Sequence, residues 1–181
     1  MINKFKQLAI ATSVAAACLG ATLPSAQAAE EQFFMLPSYR VGPYGANGNA
    51  FYGGFIDYLN YVNMKGGIDG VQNAWEECET EYNNAKGVEC YERIKSKAKA
   101  FTGPIHTMST GISYALVDKT AADKLPLAMM GYGLTSALDG SVFPWAFPLV
   151  TTYQMQASAI IKFLKDKNAG SLAGKKIVYL Y

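Results

Sequence analysis

The chain carries one histidine in 181 residues. Chemistry that needs a base beside a nucleophile, or paired imidazoles around zinc, therefore has too few parts. His106 reads as a strand-end side chain with a satisfied ring nitrogen, and no catalytic residue, metal ligand or cofactor is expected. Two glycine patterns raise a nucleotide reading. Gly170-Ser171-Leu172-Ala173-Gly174-Lys175 has one residue too few between its glycines for a phosphate loop, and Lys176 stands where Ser or Thr would meet magnesium. Gly131-Tyr132-Gly133-Leu134-Thr135-Ser136-Ala137 fits the loose dinucleotide fingerprint but lacks an acidic partner at the usual distance. Hydroxyls are better placed. Ser109 and Thr110 stand at the head of a predicted helix, where side-chain oxygens and free backbone N–H groups can hold a carboxylate with the helix dipole behind them. A plain helix cap is the alternative role for either residue. Tyr39, Tyr44 and Tyr132 would add aromatic walls suited to an amino or small organic acid, or would serve only as surface packing.

These groups can meet only if the elements carrying them deliver their loops to one edge. Gln32 to Leu36 reads as a first strand, and Ser38 to Gly48 as a loop over its carboxyl end. Phe51, Phe55, Tyr58, Leu59 and Val62 recur at helical spacing until Gly66-Gly67 stops the run. Val71 to Glu77 predicts an edge strand, because Gln72 and Asn73 are polar. Asn83 to Lys99 predicts a helix with Val88, Tyr91 and Ile94 inward, weakened by Gly87. Pro104 to His106 and Leu127 to Met130 predict strands flanking a helix that runs to about Asp123. Val142 to Phe147 predicts a fifth strand, and Tyr153, Ala157, Ile160, Ile161 and Leu164 a fourth long helix. Lys176 to Tyr181 is a strand by composition. This alternation predicts an α/β fold with a doubly wound, mainly parallel sheet. In such a sheet Ser38–Asn49, Thr107–Gly111 and Gly131–Thr135 all follow strands and gather at the carboxyl edge.

Half the residues are apolar and 17% are charged, which suits one compact domain. Residues Met1 to Ala28 have the form of a secretory signal: Lys4 and Lys6, an apolar run from Leu8 to Leu23, then Pro24-Ser25-Ala26-Gln27-Ala28 as a cleavage site. Ala15-Ala16-Ala17 before Cys18 is not a Leu-led lipobox. Removal of the signal would leave 14 basic and 14 acidic residues, a balance that argues against nucleic acid and polybasic membrane contact as partners. Cys78 and Cys90 would then enter an oxidising compartment twelve residues apart, where a disulfide is the first reading and two buried free thiols the alternative.

Several stretches, in this order and spacing, resemble the type I periplasmic binding proteins of branched-chain amino acid importers, the leucine/isoleucine/valine-binding family. They are Gly42-Pro43-Tyr44-Gly45-Ala46-Asn47-Gly48, Asn63 to Gly70, Met108-Ser109-Thr110-Gly111, and Lys124 to Gly133. The resemblance implies a flavodoxin-like strand order and a ligand carboxylate held by Ser109 and Thr110. It also implies backbone contacts at Tyr132 and Gly133, and first-loop contacts within Ser38 to Asn47, so that Ser38, Tyr39, Tyr44 and Asn47 join the candidate set. Function then follows as the periplasmic substrate-binding component of an ABC importer for amino acids or related small carboxylates and amides. The expected partners are that ligand and an inner-membrane permease, with the protein monomeric. On this basis residues 29–174 form an N-terminal ligand-binding lobe, and 175–181 begin a second lobe that is missing. A receptor's ligand-sensing domain of the same fold is one alternative. A nucleotide-using α/β enzyme is another.

Overall fold

The computed structural model describes residues 31–97 and 102–178. The expected signal peptide lies outside them, as do the end of the second predicted helix and residues 179–181 of the last predicted strand.

The first strand, β1 (Gln32–Ser38), alternates its side chains between two faces. Phe34 and Leu36 enter a cluster with Tyr39, Tyr52 and Leu59, whereas Met35 enters a second cluster with Cys90, Tyr91, Ile94, Ile112 and Leu116. One face is covered by α1 (Gly45–Met64). The other is covered by α2 (Asn84–Ile94) and α3 (Thr110–Ala122). Strand β2 (Asn73–Glu79) pairs with β1, and β3 (Ile105–Thr107), β4 (Leu127–Met129) and β5 (Ala146–Pro148) form a second ladder. Every ladder is parallel. A parallel bridge from Phe33 to Thr102 and a 2.7 Å hydrogen bond from Gly103 N–H to Phe33 O join β1 to the β3 side. The spatial order is therefore β2-β1-β3-β4-β5, the doubly wound order expected, with β2 at an edge as its polar residues imply.

Several local features differ from the sequence expectation. Helix α1 starts at Gly45, inside the stretch expected to be loop, because a Cβ at Gly48 would fall 1.8 Å from Tyr39 O; the glycine lets the first turn sit directly on the strand end. Gly87 also has a packing role in α2. A Cβ there would meet Ile112 Cγ2 at 2.7 Å, so its bare backbone is what allows α2 and α3 to pack closely. Lys176 to Val178 form no strand and are exposed; a strand is stabilised by neighbours, and none among the described residues pairs with this segment. The fifth strand is shifted as well: residues 142–145, expected to begin it, are not strand, and β5 is confined to Ala146–Pro148. Gly66 and Gly67 end α1 with φ of 103° and 83°, in the left-handed region that costs other residues energy.

Cys78 and Cys90 are bonded, with Cα atoms 5.8 Å apart. The bond ties the end of β2 to the middle of α2. Helix α4 (Tyr153–Lys167) buries no residue, and Tyr153, Ile160 and Phe163 of its apolar set face solvent. No helix among the described residues is long and apolar enough to cross a membrane.

Candidate functional site

Parallel pairing brings the carboxyl ends of all five strands to one edge, so the residues just beyond Ser38, Glu79, Thr107, Met129 and Pro148 share it. At the centre of this edge Ser109 is the N-cap of α3. It is buried, and its Oγ accepts the Ile112 N–H at 3.2 Å while its carbonyl accepts the Ser113 hydroxyl at 2.8 Å. The capping role is thus real, and a capping hydroxyl still carries a proton to donate.

Thr110 reaches from α3 to the loop after β4. A Cβ at Gly131 would lie 2.6 Å from Thr110 Oγ1, and one at Gly133 would lie 2.9 Å from Thr110 Cγ2. Only bare backbone fits there. The Tyr114 hydroxyl donates to Gly133 O at 3.2 Å, and Thr107 O accepts the Met130 N–H at 2.9 Å, which fixes that loop against α3 and β3. Tyr132 is exposed beside Tyr153, with ring centroids 5.6 Å apart, and its carbonyl accepts the Tyr153 N–H at 2.9 Å.

The first loop forms a neighbouring cluster. Tyr39 is buried and meets Tyr52 and Tyr82 edge-on, at 5.7 and 4.9 Å between centroids. Burial, and then the nearby phenols of Tyr82 and Tyr132, push Tyr39 up to about 12, so it stays a neutral hydroxyl at ordinary pH. Met108, from the loop after β3, packs into the same aromatic group. Tyr44 stands half exposed over Tyr82 at 4.4 Å, and Asn47 is exposed on the first turn of α1. Ser38 is fully buried. Its hydroxyl lies close enough to Glu77 to favour the carboxylate, yet makes no hydrogen bond of ordinary geometry.

Arg40, absent from the sequence reading, fastens this loop. Its guanidinium forms a two-pronged ion pair with Glu77 through Nε and, at 3.1 Å, Nη2, and it donates to Asn49 O at 3.1 Å. Its own N–H donates to Glu79 Oε2 at 2.6 Å. Burial is the largest single influence and pushes the Glu77 carboxyl up, but the Arg40 hydrogen bonds, the Ser38 hydroxyl and the Arg40 charge together outweigh it and hold Glu77 below the usual carboxylate range. Tyr82 was missed as well. It follows a strand just as the candidate loops do, so the rule that collected those loops would also have found it.

His106 is packed against the Phe55 ring at 4.6 Å, and burial lowers it to about 4, which leaves a neutral imidazole at ordinary pH. A surface cavity of about 310 Å³ lined by Glu92, Lys95, Ser96, Asp123 and Leu125 opens near the carboxyl ends of α2 and α3. Its charges satisfy one another, Lys95 pairing with Glu92 at 2.8 Å and Asp123 at 3.1 Å, so it reads as a joint between helix ends. Among the described residues no group of three or more His, Cys, Asp or Glu is arranged to hold a metal.

Residues 36–181 match the family model described as periplasmic binding protein. The chain belongs to that family. The solved structures agree with this periplasmic binding protein assignment. One, from the Pseudomonas fluorescens group and described as an ABC transporter permease, is 42% identical with a TM-score of 0.66, over 77% of this chain and 34% of that one. A fatty acid ABC transporter substrate-binding protein from Thermomonospora curvata is 20% identical, TM-score 0.66, over 77% and 34%. A branched-chain amino acid ABC transporter from Thermus thermophilus with bound valine is 18% identical, TM-score 0.65, over 77% and 36%. The last two show likeness of fold. The chain spans about a third of the length of these structures. No curated protein matches it.

Proposed function

We propose that this periplasmic binding protein delivers a small carboxylate, an amino acid or a related acid or amide, to an ABC permease of the inner membrane. Binding, not turnover, is its activity. The observation that carries the reading is the seating of Thr110 against Gly131 and Gly133, which draws hydroxyls at a helix head and the bare backbone of a second loop to one rim. A carboxylate held there would accept from the Ser109 and Thr110 hydroxyls, with the N-terminal end of the α3 dipole adding to the attraction. Backbone at Tyr132 and Gly133 would contribute a second side. Ser38, Tyr39, Tyr44 and Asn47 would supply the first-loop wall.

Residues 1–28 are proposed to act as a secretion signal, so that the binding lobe over 29–174 works in the periplasm as a monomer. Cys78 and Cys90, bonded here, suit an oxidising compartment. Two relatives of this fold are described as extracellular ligand-binding receptors, from Verminephrobacter eiseniae and Rhodopseudomonas palustris, and a sensing role is the second reading.

The test is a thermal-shift screen of amino acids and small organic acids. A ligand that prefers the folded state raises the melting temperature with the logarithm of its concentration. Carboxylates should do so and their methyl esters should not. Equal shifts from acid and ester would defeat the carboxylate reading.

A further inference from the structure

The loop after β2 holds a feature that the hydroxyl site does not use. Glu81 and Tyr82 are consecutive non-glycine residues in the left-handed region, with φ of 52° and 61°. L-residues avoid that region because Cβ crowds the backbone, and it persists only where the surroundings enforce it. Here they do. Glu79 Oε1 accepts the Glu81 N–H at 2.7 Å, Thr80 Oγ1 accepts the Tyr82 N–H at 3.2 Å, and the Thr80 hydroxyl donates to Ser38 O at 2.8 Å. The disulfide at Cys78 anchors the strand just before them.

The result of this turn is the placement of one side chain. The Tyr82 ring, half-buried, stands between Tyr39 at 4.9 Å and Tyr44 at 4.4 Å, at the carboxyl edge where the parallel strands β1 and β2 end together. A surface tyrosine with no task needs no enforced backbone. We propose that Tyr82 is a specificity-determining wall of the binding site, offering its ring to the apolar body of a small carboxylate whose charged end sits at Ser109 and Thr110. This rests on the binding reading above and adds a fourth loop to it. A neutral ring with a hydroxyl at its tip suits a compact hydrocarbon or aromatic side group, and contributes nothing to a ligand that is carboxylate alone.

The test is an NMR titration of the full chain, with tyrosine rings labelled with carbon-13, using three probes: sodium acetate, L-valine and L-phenylalanine. Tyr82→Asn removes the ring while tolerating the left-handed backbone. It should weaken valine and phenylalanine about tenfold and leave acetate unchanged, whereas Tyr82→Phe should keep wild-type affinity for all three. On the unchanged chain, nuclear Overhauser contacts should join the valine methyls to the Tyr82 ring, a readout independent of any variant's folding. If Ser109→Ala weakens valine while Tyr82→Asn does not, and no such contact appears, the site stands and Tyr82 is only packing. If the unchanged chain binds none of the probes, the binding reading falls and this inference with it.

Discussion

Thr110 and Gly131 occupy the same small space at the head of α3: a methyl group on Gly131 would sit 2.6 Å from Thr110 Oγ1 and 2.9 Å from the Thr110 nitrogen. Gly131→Ala should therefore cost about 1 to 3 kcal/mol of stability by overpacking. In a Thr110→Ala background part of that cost should vanish, because the hydroxyl is gone while the backbone neighbour remains. Urea unfolding of the two single variants and the double variant measures the coupling. Strict additivity would mean that the two loops do not press on each other.

Ser109 and Thr110 should separate in their effects. Ser109→Ala loses a cap and should cost about 1 kcal/mol of stability as well as ligand affinity. Thr110 caps nothing, so Thr110→Ala should lower carboxylate affinity by about 1 to 3 kcal/mol with a smaller change in melting temperature. Calorimetric titration beside thermal unfolding resolves the two. Unaltered affinity in both variants would leave these residues as structural elements only.

The Cys78–Cys90 bond closes a short loop, with a sequence separation of 12. Chain-entropy arithmetic gives it about 3 kcal/mol. Reduced protein, or Cys78→Ala/Cys90→Ala, should unfold at a clearly lower urea midpoint than oxidised protein. Coincident curves would refute the estimate.

Acid should act through His106. Burial lowers its folded value from 6.5 to about 4, so between those limits the unfolded chain binds a proton that the native one does not. Stability from this residue is complete above pH 6.5 and falls as pH drops toward 4, by at most about 3 kcal/mol. His106→Gln should flatten the stability profile across that window. A slope equal to wild type would show that other groups cause it. Glu77 acts lower, since its folded value is depressed, and its contribution is lost only as pH falls through that depressed value.

Much of the scaffold was legible because it is written in local pattern. The alternation of Phe34 and Leu36 with Met35, the helical spacing from Phe51 to Val62, and the Gly66-Gly67 stop each follow from backbone geometry that a few neighbouring residues determine. The polar start of β2 correctly marked it as an edge. The packing role of Gly87 was not legible, for the opposite reason. As a single residue it is a poor helix former, and only its neighbour Ile112, far away in sequence, makes it a packing site. Of the strand expected over Lys176 to Tyr181, the described part, Lys176 to Val178, is not strand, since composition describes a tendency and pairing requires a partner.

The candidate site divides along that line. Sequence alone determined which residue types stand at the ends of strands, the hydroxyls at the head of a helix, the thiols twelve apart, and the parallel α/β order that sends those ends to one edge, because each depends on residues close in the chain. Tertiary structure decided which of them touch: Thr110 against Gly131, Arg40 locked to Glu77, and Tyr82 wedged between Tyr39 and Tyr44. Those contacts join residues far apart in the chain, Tyr39 and Tyr82 among them. Their distances are set by how closely the backbone of one element can approach another, a property that belongs to the packed pair and to neither segment alone.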